Sequence, residues 1–376
     1  REDATNLEEL FDMESHLKLL PATYKIKLPD YLKAVGMTDP EIDDAKVALG
    51  RVLFYDKKLS RDGSTSCASC HKQSLAFSDN VAFSTGIDGQ KSIRNAMPLA
   101  NVSSFAGHYT AINGQQPFLL WDERATTVAA QARIAITNPE EMDMNMPELV
   151  ERIKSLVYYP YLWKQAYGDF SVTEDRILES LDAFVGAMHS YNSKFDRALT
   201  ESAGQFGVLD TVVRELYYGP NDTIVITTLP FYNVSEFRGL QLFVDNCSNC
   251  HSPIRPFQEV FMACNGLDMN YSDAGLGKLS GNPADDGVFK SPSLRNIALT
   301  APYMHDGRFK TLHEVVEFYS TGVQAHPNLH PDMPRGPGGD ANLHLTAQEK
   351  ADLVAFLHTL TDHSITQDTR FSNPFK

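Results

Sequence analysis

The chain has 376 residues, of which 42% are hydrophobic and 22% are charged, a composition typical of globular proteins that bury a large core. Its formal net charge of −15 argues against nucleic acid and anionic membrane surfaces as partners and would suit a partner with a basic patch. No apolar run approaches the ~18 residues of a transmembrane helix, so no membrane span is expected.

In chain order, the hydrophobic patterns predict a mainly α protein with few short strands. Apolar residues at helical spacing predict helices over residues 42–55, 146–157, 173–191, 235–246, 311–319 and 346–360. Ser235 is expected to cap the helix over 235–246, and Thr346 with Glu349 forms a capping box before the last helix. The best strand candidate lies at 223–228. Long loops rich in Gly, Pro, Asn and Ser, over 77–120 and 252–310, are predicted to be functional.

Four of the five cysteines fall into two identical C-x-x-C-H frames. The first comprises Cys67, Cys70 and His71, and the second comprises Cys247, Cys250 and His251. This pattern is typical of covalent c-type haem attachment, with the histidine as a ligand to the iron. Disulfides and a zinc ribbon are the alternatives, but zinc-binding C-x-x-C pairs normally lie much closer together and have no use for the adjacent histidine. We therefore predict two haem c groups, and Cys264 remains without a role.

The repeated motif predicts an internal duplication with one cytochrome-c-like module around each haem. A length of 376 residues exceeds the usual size of one core, which supports two domains. We expect an N-terminal haem domain over 1–192 and a C-terminal haem domain over 193–376. Because haem c is attached outside the cytoplasm, a periplasmic location is expected. The chain begins at Arg1 without an apolar leader, and a removed signal peptide is the expected explanation.

Three further stretches, together with the two haem motifs, resemble the bacterial dihaem cytochrome c peroxidase family, a superfamily that includes MauG. They are Trp121-Asp122-Glu123-Arg124, Leu294-Arg295-Asn296 and Thr300-Ala301-Pro302-Tyr303-Met304-His305-Asp306-Gly307. The resemblance extends from about Ala45 to Leu360. It implies an oxidoreductase that reduces hydrogen peroxide at the N-terminal haem and receives electrons through the C-terminal haem.

The resemblance also implies how the first haem is held. His71 would bind the iron from one side, and many family members block the other side with a histidine in the following loop. The matching loop here covers residues 84–89 and has Ile87 at that position, which cannot bind iron. An open haem that reacts with peroxide without prior reduction is therefore expected. His108, in an insertion before Trp121, is interpreted as a loop histidine rather than a ligand.

The catalytic residues of the family correspond to Glu141, Gln131 and Trp121. Glu141 would accept the proton of hydroperoxide and return it to the departing oxygen, and Gln131 would orient peroxide or water. Taken alone, Glu141 would be read as a solvated charge, and Glu140 is the alternative if the register differs by one residue. Trp121 would relay electrons between the haems, a role compatible with core packing.

At the second haem the resemblance implies a distal ligand opposite His251. Many family members use a methionine there, whereas the matching residue here is Tyr319, as in MauG. A phenolate is a hard, anionic ligand that favours the oxidised states of iron. Met304 and Met333 remain alternative ligands. The family also carries a calcium ion between its modules, and the corresponding residues are Asn95, Thr300 and Pro302, whose oxygen atoms suit Ca²⁺.

Three functions remain open from the sequence. The first is a peroxidase supplied with electrons by a small cytochrome c or copper protein. The second is a MauG-like enzyme that uses a high-valent dihaem state to oxidise protein or small-molecule side chains, which Tyr319 and Ile87 favour. The third is a pure electron-transfer dihaem cytochrome, which would need a second ligand on both irons and is disfavoured by Ile87. Family members are often dimers, so a homodimer is also considered.

Overall fold

The computed structural model describes residues 2–18, 21, 23–34, 37–102, 119–204, 229–251, 262–337 and 339–376. Helices dominate these ranges, which confirms the mainly α class. In these ranges we find no helix with the length and hydropathy of a membrane span. The strand candidate at 223–228 and His108 lie outside the described residues.

The described helices are numbered in chain order. They are α1 (Glu2–His16), α2 (Asp30–Ala34), α3 (Asp44–Tyr55), α4 (Cys67–Cys70), α5 (Val128–Thr137), α6 (Met146–Lys154), α7 (Pro160–Tyr167), α8 (Glu174–Gly186), α9 (Lys194–Gly204), α10 (Val234–Cys247), α11 (Gly277–Ser280), α12 (Leu312–Glu317) and α13 (Ala347–Thr359). A π-helical turn, Phe318–Gly322, continues α12. Two short antiparallel strands pair Met262–Ala263 (β1) with Phe289–Lys290 (β2).

The six predicted helices are confirmed as α3, α6, α8, α10, α12 and α13. The capping box of Thr346 and Glu349 is also confirmed. The expected cap at Ser235 is wrong, because Asn233 caps α10 and shares a reciprocal capping box with Glu236. The Ser235 hydroxyl instead donates a hydrogen bond to the Asp352 carboxylate on α13. The cap therefore lies two residues earlier than predicted, and Ser235 fastens α10 to its partner helix.

The same glycine contact packs α3 against α8 and α10 against α13. A Cβ atom built on Gly50 would lie 1.8 Å from the Ser180 carbonyl oxygen, and one built on Gly239 would lie 1.9 Å from the Asp352 carbonyl oxygen. Each of these helix pairs can approach this closely only because the residue at the crossing has no side chain. In each half of the chain, one helix of the pair comes before the haem motif and the other comes after it. The repeated crossing therefore supports the predicted internal duplication.

Two large apolar cores surround these helix pairs. The first is built mainly from residues between Val47 and Met188, and the second mainly from residues between Phe195 and Leu360. The ends of the chain do not follow this division, because Phe371 packs in the first core and Tyr31 in the second. Most of the first core thus lies before residue 192 and most of the second core lies after it. That the chain folds as two domains divided there stays a prediction.

Candidate haem sites

The first C-x-x-C-H motif is preorganised by a short capped helix. Ser66 precedes α4, and its backbone N–H donates to the Ser69 hydroxyl at 3.0 Å. His71 follows directly, and its backbone N–H donates to the Cys67 carbonyl at 2.9 Å. The imidazole Nδ1 donates to the Phe77 carbonyl at 2.9 Å. A histidine held through Nδ1 keeps the lone pair of Nε2 available for a metal, so this hydrogen bond suits the predicted role of His71 as an iron ligand.

The second motif repeats this arrangement at the end of α10. His251 donates its backbone N–H to the Cys247 carbonyl at 2.8 Å, and its Nδ1 donates to the Pro292 carbonyl at 2.8 Å. Burial lowers the pKa of both His251 and His71 below the ordinary value of a histidine. Both imidazoles are therefore kept in the neutral form, which is the form that binds a metal.

A large and mainly apolar cavity adjoins the second motif. Cys247, Cys250 and His251 lie on its wall, and the remaining lining is mostly aliphatic and aromatic, including Phe243, Leu294, Ile297, Val316 and Leu353. Burial raises the pKa of Cys247 to about 12 and that of Cys250 to about 11, which keeps both as neutral thiols. An apolar space bordered by two thiols and a neutral imidazole fits a thioether-linked haem macrocycle.

The three candidates for the distal ligand of the second haem all border this same cavity: Tyr319, Met304 and Met333. Tyr319 lies in the π-helical turn, a feature that often marks functional positions. Its hydroxyl accepts a hydrogen bond from Asn265 Nδ2 at 3.2 Å, and burial raises its pKa to about 12. A phenolate would thus form there only beside a strong cation such as ferric iron. The choice of ligand stays a prediction.

The loop over residues 84–89, which has Ile87 in place of the blocking histidine, is packed against the turn that carries Glu141. Ile87 is 1% exposed, and its backbone N–H donates to the Glu141 carbonyl at 2.9 Å. A Cβ atom on the preceding residue, Gly86, would lie 2.1 Å from the Glu140 carbonyl oxygen. The close contact of these two backbones fixes the loop and the Glu141 turn relative to each other.

The Glu141 carboxylate is half-buried, whereas Glu140 is exposed. Asn138 Nδ2 donates to Glu141 Oε1 at 2.8 Å, and burial raises the pKa of Glu141 above its ordinary value. Burial raises the pKa of the Cys67 and Cys70 thiols, and the negative charge of Glu141 adds a smaller increase in the same direction, as expected for a carboxylate on the side of the first haem motif. These surroundings favour Glu141 over Glu140 as the acid/base.

Gln131 lies half-buried on α5, the helix that leads into the turn of Asn138 and Glu141. Its role in orienting peroxide stays a prediction.

Trp121 contacts residues from both halves of the chain. Its Nε1–H donates to the Asn95 carbonyl at 2.9 Å, and its own carbonyl accepts from the Lys290 backbone N–H at 2.8 Å. The indole meets the His305 ring edge-on, with 6.5 Å between ring centroids, and borders the cavity of the second motif. Trp121 therefore lies where the two halves meet, as a relay between two haems would require.

Comparisons with known proteins agree with this geometry. Residues 44–204 match the family model for di-haem cytochrome c peroxidases. The methylamine utilization protein MauG of Methylorubrum extorquens is 32% identical over 320 residues, which cover 84% of this chain and 78% of the relative. The cytochrome c551 peroxidase of Nitrosomonas europaea is 30% identical over 336 residues, which cover 88% of this chain and 84% of the relative. The chain belongs to the di-haem cytochrome c peroxidase family.

A solved structure supports the same conclusion. A MauG-like protein associated with microbial copper homeostasis superimposes with a TM-score of 0.71 and 30% identity, over 94% of this chain and 98% of that one. This di-haem cytochrome c peroxidase family member is therefore an oxidoreductase, and its family implies two haem c groups.

An arginine that the sequence reasoning missed connects the two halves of this family member. Arg94 is 8% exposed, and its NH1 lies 2.6 Å from Asp122 Oδ2. Its Nε and NH2 donate to the two carboxylate oxygens of Asp273 at 2.6 and 2.9 Å. Asp122 directly follows Trp121, so this ion-pair network lies beside the proposed relay. The only signal in the sequence was the adjacency of Arg94 to Asn95 and of Asp122 to Trp121.

The three residues that correspond to the family calcium site also border the cavity: Asn95, Thr300 and Pro302. Asn95 Nδ2 donates to the Val81 carbonyl at 3.0 Å, which turns the amide oxygen away from that carbonyl. Within the described ranges, no group of three or more His, Cys, Asp or Glu side chains is suited to a metal ion. A calcium ion at this place would depend on amide and carbonyl oxygens, which Ca²⁺ accepts.

Proposed function

We propose that this enzyme reduces hydrogen peroxide at the first haem site and that electrons reach this site from the second haem through Trp121. The observation that carries the proposal is the surroundings of Glu141. Its half-buried carboxylate accepts a hydrogen bond from Asn138, and its backbone carbonyl accepts one from the N–H of Ile87, the residue that stands where many relatives have a blocking histidine. The charge of Glu141 also adds to the effect of burial in raising the pKa of the Cys67 and Cys70 thiols.

When bound, the haem supplies an iron at which the O–O bond of peroxide is broken. The chain supplies the proton transfers. Glu141, as a carboxylate, accepts a proton from hydrogen peroxide and returns it to the departing oxygen, which then leaves as water. The hydrogen bond from Asn138 holds one carboxylate oxygen in place, and Gln131 orients the peroxide by hydrogen bonding. Two electrons and two protons convert each peroxide into two water molecules.

The electron path would use Trp121, whose indole is fixed by the hydrogen bond to the Asn95 carbonyl. His251 and Tyr319, which border the same cavity, would hold the second haem. Calcium at Asn95, Thr300 and Pro302 would stabilise the backbone around this tryptophan. With a net charge of −15, the enzyme suits a donor that carries a basic patch, either a small cytochrome c or a copper protein. A periplasmic location follows from the attachment of haem c.

Rapid mixing of the fully oxidised holoenzyme with one equivalent of peroxide tests the open first site. We expect an immediate change in the haem absorption spectrum without prior reduction. A reaction that begins only after one-electron reduction, or no reaction at all, would contradict the proposal.

A second candidate is MauG-like oxidation of a protein or small-molecule side chain, which Tyr319 at the second haem cavity favours. The two functions differ in what ends the reaction. Rapid steady-state turnover with a reduced basic cytochrome supports the peroxidase. The second candidate is supported if the cytochrome does not reduce the peroxide-oxidised enzyme and if this oxidised state lasts until a protein substrate is added.

A further inference from the structure

Cys264, the one cysteine outside the haem motifs, lies in a cluster of oxidisable side chains. The thiol is 1% exposed. Its Sγ lies 3.7 Å from the Tyr271 hydroxyl and 3.5 Å from His326 Nδ1. The rings of Tyr271 and His326 meet edge-on, with 5.3 Å between their centroids. We refer to Cys264, Tyr271 and His326 together as the Cys264 cluster.

Backbone hydrogen bonds set the direction of proton transfer in the Cys264 cluster. The Asn328 N–H donates to His326 Nδ1 at 3.0 Å, so this nitrogen is the unprotonated one. Its single lone pair can take the thiol proton of Cys264 in exchange for that hydrogen bond. The Leu267 N–H donates to the Tyr271 hydroxyl oxygen at 2.8 Å, which holds the phenol against the thiol. The thiol thus has a base on one side and an aromatic ring on the other.

A series of ring contacts joins the Cys264 cluster to the proposed electron relay. The Tyr271 ring centroid lies 6.4 Å from that of His305 and 6.0 Å from that of Phe289. His305 stacks on Phe289 with 3.9 Å between centroids, and His305 in turn meets Trp121 at 6.5 Å. Since electron transfer between side chains needs short separations, this series offers a direct path from Tyr271 to Trp121.

We infer that the Cys264 cluster is an internal electron donor that becomes covalently modified when peroxide is turned over without an external donor. The product is a thioether between Cys264 Sγ and the Tyr271 ring carbon next to the one that bears the hydroxyl. This inference rests on the proposed peroxide reduction. The modification is a two-electron oxidation of the side chains of Cys264 and Tyr271.

The atoms and electrons of this step balance. The S–H bond of Cys264 and one ring C–H bond of Tyr271 break, and one C–S bond forms. Two electrons leave through His305 towards Trp121, and two protons are released, the thiol proton to His326. One molecule of hydrogen peroxide takes up two electrons and two protons and becomes two water molecules. The protein therefore loses two hydrogen atoms for each peroxide consumed in this way.

The cysteine count provides a specific assay. Four of the five cysteines belong to the haem motifs, so the unfolded holoenzyme should expose a single titratable thiol, that of Cys264. The holoenzyme is incubated with peroxide in the absence of any reductant, and the thiol content, the peptide masses and the remaining peroxide are then measured. We expect loss of the thiol and loss of two hydrogen atoms from the peptide. In tandem mass spectra, fragment ions from cleavage between Cys264 and Tyr271 should be missing, because the cross-link holds the two pieces together.

Two outcomes would overturn the inference alone. A retained thiol, or oxygen added to Cys264 in place of hydrogen loss, would do so if peroxide is consumed, and the proposed function would stand. If the holoenzyme consumes no peroxide, the proposed function fails and this inference fails with it.

Matched variants locate the modification. Tyr271→Phe keeps the ring but removes the hydroxyl, so the hydrogen loss should disappear while turnover with an external donor stays unchanged. Tyr303→Phe is the control, because the Tyr303 hydroxyl donates to the Ile297 carbonyl and not to Cys264, and the cross-link should still form. Glu141→Gln should slow cross-linking and peroxide consumption by the same factor. Cross-linking at the original rate in this variant would contradict a path from the haem site.

Discussion

Two adjacent carboxylates, Glu140 and Glu141, differ in their surroundings, and this difference predicts different effects of the same substitution. Glu141→Gln removes the proton acceptor but keeps the size of the side chain, so the rate constant for the reaction with peroxide should fall about 10²–10⁴-fold. Glu140→Gln is the matched control, since Glu140 is exposed, and its rate should equal that of the wild type. Stopped-flow absorption measures both, and wild-type kinetics in the Glu141 variant would reject its role.

The same carboxylate predicts the pH dependence of the reaction. Burial raises the pKa of Glu141 above the ordinary value of 4.5. Glu141 can accept a proton only when ionised, so the rate should be constant at high pH and fall as the pH is lowered through this raised pKa. In Glu141→Gln this fall in rate at low pH should be absent. A wild-type midpoint at or below 4.5 would contradict the assignment.

The ligand of the second iron is also decided by single substitutions. Tyr319→Phe removes the phenol oxygen but keeps the ring, so the absorption and EPR spectra of the oxidised second haem should change. Met304→Leu and Met333→Leu serve as controls and should leave these spectra unchanged, although both methionines border the same cavity. A change in either methionine variant, together with an unchanged Tyr319→Phe spectrum, would identify methionine as the ligand.

Among the elements, the crossings of α3 with α8 and of α10 with α13 depend on glycine. At a solvent-exposed position inside a helix, replacing glycine by alanine stabilises the protein by about 0.5–1 kcal/mol. At Gly50 and Gly239 the new methyl group would instead collide with a carbonyl oxygen, so we expect Gly50→Ala and Gly239→Ala to lower the free energy of unfolding by about 1–3 kcal/mol. Denaturant unfolding of the holoenzyme measures this change. A stabilisation at either position would show that the helices are less closely packed than described.

The elements also show how much of the fold could be predicted from the sequence. The helices α3, α8, α10 and α13 have enough periodic apolar residues to be predicted without the structure. The four-residue helix α4 and the two-residue strands β1 and β2 are too short to carry a periodic signal and depend on contacts distant in sequence. Likewise, the haem motifs were predicted from their local spacing, whereas the hydrogen bond between Ile87 and Glu141 and the contact between Cys264 and His326 join residues far apart in the chain.

At the scale of the whole molecule, Arg94 links the two halves beside Trp121. It is buried between Asp122 and Asp273, which come from different halves of the chain. Arg94→Leu would leave two carboxylates short of their partner in a desolvated place, a change that typically costs about 3–5 kcal/mol. Because Arg124 still contacts Asp122 at 2.6 Å, we expect a value near the lower end of that range.

The control for this prediction is an arginine with the same kind of partners at the surface. Arg61 pairs with Asp88 and Asp143, and its side chain is 48% exposed. Since exposed ion pairs contribute about 0–1 kcal/mol, Arg61→Leu should hardly change the free energy of unfolding. If Arg94 also positions Trp121 between the halves, Arg94→Leu should slow electron exchange between the haems even under conditions where the variant is fully folded. Equal stability of the two variants would mean that the link through Arg94 does not hold the halves together.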